Sequence, residues 1–174
     1  SQRGQVPDNI EADDAEGSKA RRTFGAKAYD LNVQQYCAAG LNFGYYYDDS
    51  PIIAHDDETA PGYSMSAYTP STVPGCRLPH IWLGNGRSLY DALGPEYTLL
   101  RLDPTLDVSP LTQAARDRGL PLAVLDIGDT EGAALYDHNL VLARPDQHIA
   151  WRGNQLPDDP NATDALVQRL RGVA

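Results

Sequence analysis

The chain has 174 residues, 41% of them hydrophobic, enough for one domain with a core and an appendage. Its 14 lysines and arginines face 24 aspartates and glutamates, and the resulting net charge of −10 excludes the basic footprint that nucleic acid or an anionic membrane requires. No apolar run nears the ~20 residues of a membrane span, no signal-peptide pattern opens the chain, and Cys37 and Cys76 lie far apart, so a cytoplasmic protein with two reduced thiols is expected.

Ser1 to Gly17 is polar and acidic without an apolar period, which predicts a mobile segment or surface loop. A chain that starts with serine inside such a stretch is expected to be an excised or processed fragment. Between Lys19 and Ala39, the residues Phe24, Ala28, Leu31, Gln35 and Ala38 recur at spacings of three and four. That spacing predicts a helix with one modest apolar face, ended by Gly40. So few large apolar residues cannot hold a helix alone, and it needs a neighbour. The aromatic density of Leu41 to Tyr47 predicts a strand, Asp48-Asp49-Ser50-Pro51 a turn, and Ile52-Ile53-Ala54 a second short strand. From Asp56 to Gly75 the chain is rich in Asp, Pro, Gly, Ser and Thr, and reads as a linker laid over a surface by Tyr63, Met65 and Tyr68.

The second half is more regular. His80 to Leu83 reads as a strand, Gly84-Asn85-Gly86 as a tight turn, and Ser88 as the N-cap of a short helix from Leu89 to Leu93 stopped by Gly94-Pro95. Tyr97 to Leu102 reads as a buried strand. Ser109 caps a helix that carries Pro110 in its first turn and runs to Arg118, with Gly119 ending it. Leu122 to Ile127, an almost continuous apolar run, predicts a second buried strand of the parallel kind. One helical turn at Ala133 to Tyr136 precedes a hairpin, with Leu140–Ala143 and His148–Trp151 flanking Arg144-Pro145-Asp146-Gln147. Asn161 caps a final helix, Ala162 to Arg171, with Leu166, Val167 and Leu170 on one face. A βαβ unit followed by ββα gives an α/β fold: a thioredoxin-like mixed sheet flanked by helices, preceded by an N-terminal helix and short strands. The organisation expected is a polar segment 1–17, a helix and strands 18–55, a linker 56–75 and an α/β domain 76–174.

Candidate chemistry is sparse. A thioredoxin redox site needs Cys-x-x-Cys where the first strand meets its helix. The matching stretch, read as Leu83 to Ser88, has no cysteine, and Cys76 precedes the strand without a partner. His55, His80, His138 and His148 stand at no metal-ligand spacing, and read as hydrogen-bonding turn or strand residues. Asp48-Asp49 and Asp56-Asp57-Glu58 lack the alternating ligand loop of a calcium site, so they read as solvated charges. Tyr45, Tyr46 and Tyr47 read as packing between two units, with contact to an aromatic ligand as the other reading. Gly84-Asn85-Gly86 is too short for a dinucleotide fingerprint, and Arg87 breaks its pattern. From the residues, no catalytic, cofactor-binding or metal site is expected.

Three stretches resemble one family. LNFGYYYDDSPII, Leu41 to Ile53, is similar to the segment after the flavin domain of FAD-dependent aromatic hydroxylases of the phenol, dichlorophenol and (3-hydroxyphenyl)propionate hydroxylase type. PGCRLPHIWLGNGRSLYDALGPEYTLLRL, Pro74 to Leu102, resembles the start of their thioredoxin-like terminal domain, and LYDHNLVLARPDQHIAWRG, Leu135 to Gly153, resembles its closing hairpin. The resemblance implies a parent enzyme that uses FAD and NAD(P)H to insert one oxygen atom into a phenolic ring. The family's flavin motifs have no counterpart here, so no catalytic residue carries over. It further implies packing of this domain on the parent's own flavin domain, and a homodimer. The function expected is a structural and assembly domain, inactive in isolation. The alternatives are a free-standing thioredoxin-fold oxidoreductase, disfavoured by the missing cysteine pair, and a binding subunit acting in trans on a flavoprotein.

Overall fold

Four apolar stretches in the second half of the chain form one mixed sheet. The computed structural model describes residues 6–128 and 130–173, apart from the side chains of residues 34 and 35. Its strands are β1 (Tyr97–Arg101), β2 (Leu122–Asp126), β3 (Leu140–Ala143) and β4 (Ile149–Gly153). The described residues also form five α-helices: α1 (Ala15–Tyr36), α2 (Ala39–Phe43), α3 (Leu89–Ala92), α4 (Ser109–Asp117) and α5 (Pro160–Leu170). The sheet order is β2-β1-β3-β4, with β1 parallel to β2, β1 antiparallel to β3, and β3 antiparallel to β4. The predicted mixed α/β fold, with its βαβ unit, hairpin and last helix, is the fold the chain adopts.

Alternation along the strands builds two cores, one on each face. Leu99, Leu140, Leu142 and Ala150 meet Leu111 and Ala115 of α4 and Leu166, Val167 and Leu170 of α5. Leu100, Val141, Ala143 and Ile149 meet Leu78, Ile81, Leu89, Ile127 and Tyr136 on the other face. Both faces are covered, which is why β3 reads as an unbroken apolar run. The hairpin turns through Arg144 to Gln147, whose φ of +67° is the left-handed residue of a three-residue loop.

Helix starts differ from the sequence reading by a cap. Asp107 accepts both the N–H and the O–H of Ser109, so Ser109 lies inside α4. Asp159 caps α5 by accepting the Asn161 N–H at 2.9 Å, and Asn161 lies inside the helix. Ser88 does occupy the N-cap position of α3, but its hydroxyl pairs with His80 Nε2 at 3.0 Å instead of a helix N–H.

β2 corrects an expectation. It is a strand, but an edge strand paired only with β1 among the described residues, and Val124 is 38% exposed. An apolar run shows that a strand can be buried, not that a neighbour exists to bury it.

The first half departs further. α1 begins at Ala15, capped by the Asp14 carboxylate on the Gly17 N–H at 2.7 Å, and ends at Tyr36, not Ala39. Residues 8–11 form a turn tied to α1 by Arg21, which donates to the carbonyls of Ile10 and Ala12. Of the predicted apolar face, Phe24 and Ala28 are half-buried, Leu31 is 48% exposed, and the Gln35 side chain lies outside the described residues. The predicted strand Leu41 to Tyr47 does not form: α2 takes its first residues, followed by a single bridge from Tyr46 to Cys76. Gly40 is not a helix end but a buried contact, where a Cβ would overlap the Ser64 carbonyl. That close approach, with the Leu41 N–H on the Met65 carbonyl, holds the helical turn against the strand preference of the aromatics.

Ile52 to Ala54 is a turn, not a strand. It gives one hydrogen bond to the sheet, from the Ala54 N–H to the Ala150 carbonyl. His80 to Leu83 is likewise not a strand; only Trp82 bridges, to Ser88, because Leu83 to Arg87 closes a local turn instead of joining the sheet. The free edge of β4 is covered instead by residues 75–78, through the Gly75 N–H on the Ile149 carbonyl and the Ile149 N–H on the Cys76 carbonyl. No helix among the described residues is long and apolar enough to cross a membrane.

Candidate functional site

Tyr45, Tyr47, Cys76 and His148 meet at the β4 edge, where residues 43–47 strap the first half of the chain to the hairpin. The Tyr47 N–H donates to the Gly75 carbonyl at 3.0 Å. Gly75 has φ +98°, and a Cβ there would overlap the Tyr47 carbonyl, so the strap lies directly on this glycine. His148, at the foot of β4, is the strap's counterpart. Its side chain is buried, with the Tyr45 ring 5.0 Å away and the Tyr47 ring 4.8 Å away, edge-on. Arg144 lies over Tyr47 at 4.9 Å, and Arg77 lies 5.4 Å from the Phe43 ring and 5.4 Å from the Tyr90 ring. Tyr45 and Tyr47 thus lean on His148 with one side of each ring and leave the rest exposed.

Burial pushes the His148 imidazole below its ordinary 6.5. The Asp146 carboxylate and carbonyl pull it upward, and the charges of Arg144 and Arg77 add to the lowering. The ring is neutral at pH 7, with Nδ1 on the Asp146 carbonyl at 3.1 Å and Nε2 buried without a hydrogen-bond partner.

A second clamp joins the linker to β4, and sequence reasoning missed it. The Arg152 side chain is 1% exposed; Nε donates to Asp56 Oδ2 at 2.7 Å and Nη1 to Thr72 Oγ1 at 3.1 Å. Nη2 meets Glu58 Oε2 at 2.8 Å as an ion pair without hydrogen-bond alignment. Burial raises the Asp56 carboxyl, but the Arg152 hydrogen bond, the Glu58 N–H, and the charges of Arg152 and His138 outweigh it and hold the group below 3.8. Asp56 and Glu58 are thus partners of a buried cation, not merely solvated charges. The signal available was an arginine at an inward position of a hairpin strand, which demands a carboxylate from elsewhere.

The other candidates are dispersed. Cys76 is buried at the β4 edge, where burial pushes its thiol above 9.0, and Cys37 is exposed at the end of α1. The strand that feeds the crossover helix is β1, so the position for a redox pair is Leu102 to Val108, not Leu83 to Ser88; it holds no cysteine either. His80 sits edge-on to Trp82 and Tyr90, and His138 is half-buried with Nδ1 lacking a partner. His55 lies against Gly75. No group of three or more possible metal ligands occurs among the described residues. Gly84 to Gly86 closes a turn between Leu83 and Arg87 and leads into the four-residue α3.

Comparison with known proteins places this arrangement. The family model described as aromatic-ring hydroxylase, C-terminal, matches residues 71–173. The FAD-dependent monooxygenase opdD of Penicillium oxalicum (strain 114-2 / CGMCC 5302) is 27% identical over 165 residues, which cover 91% of this chain and 31% of that protein. The phenol 2-monooxygenase of Pseudomonas sp. (strain EST1001) is 30% identical over 176 residues, covering 90% of this chain and 28% of that protein. A solved structure of RebC, soaked with chromopyrrolic acid and holding 7-carboxy-K252c, matches with a TM-score of 0.80 at 33% identity, over 99% of this chain and 32% of that one. The chain spans about a third of the length of these relatives.

Proposed function

This chain belongs to the aromatic-ring hydroxylase C-terminal family, and on that premise we propose that it is the structural and assembly domain of an FAD- and NAD(P)H-dependent phenol-type monooxygenase, supplying no catalytic residue of its own. The observation that carries this reading is the extent of the fold likeness. The family model begins at residue 71, yet the likeness to RebC runs through 99% of the chain. α1 and the strap are therefore read as parts of the same larger architecture, with α1 seated on an upstream flavin domain and the strap joining that unit to the sheet. The order β2-β1-β3-β4, with one parallel pair and a hairpin, supports the thioredoxin-like description of the sheet domain.

In the parent, FAD would supply the oxygen activation. The residues here do not fit it: a dinucleotide phosphate needs a glycine loop between a strand and a full helix N-terminus, and Gly84 to Gly86 offers neither. No step of the reaction is assigned to this chain. A cytoplasmic enzyme of aromatic-ring oxidation, dimeric through surfaces of this domain, completes the reading.

The coding frame upstream of Ser1 tests it. A continuous frame encoding a flavin-binding domain is expected, together with a purified chain that stays colourless through gel filtration with added FAD. A start codon at this point, with the chain copurifying as a separate subunit of a flavoprotein, would replace this reading by a subunit acting in trans.

A further inference from the structure

A small pocket under the strap has no part in that reading. Phe43, Tyr45, Tyr68, Ser71, Cys76 and Arg77 contribute to its wall, and it has room for about 20 Å³. One water needs roughly 10–15 Å³ on this measure, so the pocket admits a particle of one or two heavy atoms and excludes an aromatic ring or a nucleotide. No aspartate or glutamate lines it, although the protein carries a net charge of −10.

Arg77 is the cation of this wall, and it is poorly compensated. Nη2 donates to Gln147 Oε1 at 2.6 Å, the guanidinium lies between the Phe43 and Tyr90 rings, and Nε is buried without a hydrogen-bond partner. Arg101, Arg118, Arg144 and Arg152 each pair with a carboxylate, whereas Arg77 has no such partner among the described residues. The residue is half-buried, and its enclosed Nε still lacks an acceptor, a need that the two rings meet only in part. Burial, with smaller contributions from Tyr90 and Cys76, pushes the Tyr68 hydroxyl up to about 12 against the pull of Arg77, so it remains a protonated donor.

From this pocket we propose that the domain binds one small monovalent anion of halide size, with Arg77 as its counter-charge and the Tyr68 hydroxyl as a further donor. The wall is built from the strap, from the linker around residues 61–71, and from Cys76-Arg77. Neutralising Arg77 therefore tightens the junction of all three.

Thermal unfolding of the full chain, titrated with sodium bromide against sodium gluconate at constant ionic strength, tests this, with sodium sulfate as an anion too large for the pocket. Bromide is expected to raise Tm saturably, sulfate to raise it only without saturation, as an ion excluded from the surface does, and Arg77→Gln to weaken bromide binding by about tenfold or more through loss of a charge-assisted hydrogen bond. A bromide rise that never saturates, a saturating rise with sulfate, or a bromide rise that Arg77→Gln retains would overturn the proposal. If Arg77→Gln fails to fold, anomalous diffraction from a bromide-soaked crystal of the unmodified chain decides. A bromide peak on Arg77 upholds the site, and its absence there overturns it.

Discussion

Two residues at the β4 edge carry consequences that can be measured. Gly75 combines φ +98° with the Tyr47 carbonyl where a Cβ would stand. Gly75→Ala is expected to cost about 2 kcal/mol or more in chemical unfolding, from left-handed strain and a backbone clash together. Gly119→Ala, at φ +66° but in open space, should cost only about 1 kcal/mol; equal losses at the two sites would refute the clash. His148 gives a pH signature. Its folded pKa lies below the ordinary 6.5, so above that value both states hold a neutral ring and nothing is lost. As pH falls below 6.5 the unfolded chain takes up the proton first, and stability declines until pH passes the folded value. Urea unfolding between pH 7.5 and pH 5 should show this decline in the unmodified chain and a smaller one in His148→Leu; identical slopes would remove His148 as the cause.

Among the described elements, α1 and β2 are left uncovered. α1 packs substantially against no other helix or strand among the described residues, and Tyr29, Leu31 and Tyr36 are exposed along it. A helix held by few tertiary contacts opens at low free-energy cost. Limited trypsinolysis of dilute chain is therefore expected to cut first at Lys19, Arg22 or Lys27, leaving the segment from β1 to α5 intact. First cuts within the sheet domain would show that the stability order is the reverse. The helix was legible in its three-and-four spacing, and its solitude was foreseeable from its few large apolar residues. The misread strand at Leu41 to Tyr47 was not, because Gly40 against Ser64 is a contact between residues that local propensity never compares.

For the whole molecule, the uncovered surfaces combine. Leu31 and Tyr36 of α1, Leu41, Phe43, Tyr45 and Tyr47 around the strap, and Val124 on the edge of β2 are all exposed apolar side chains. Burying such surface is worth roughly 25 cal/mol per Å², offset by association entropy. Net charge opposes pairing, but salt at ordinary strength screens it beyond ~8–10 Å. Sedimentation velocity is expected to show a concentration-dependent dimer, weakened by Leu31→Lys; a monomer at every concentration reached would sink the self-association reading. An upstream flavin domain, if it covers α1, would compete for the same face.

By itself the sequence determined the α/β class, the positions of the sheet's four strands, the hairpin turn and the last helix, because period, turn chemistry and apolar runs are local properties of a few adjacent residues. The absence of a Cys-x-x-Cys motif was equally plain in it. Only the tertiary structure decided that β2 is an edge, that residues 75–78 and not His80 to Leu83 line β4, and that the buried Arg152 pairs with Asp56 and Glu58. These are pairings across many residues of chain. Burial of a shared surface and neutralisation of an enclosed charge fix them, and neither quantity exists until the distant partners meet.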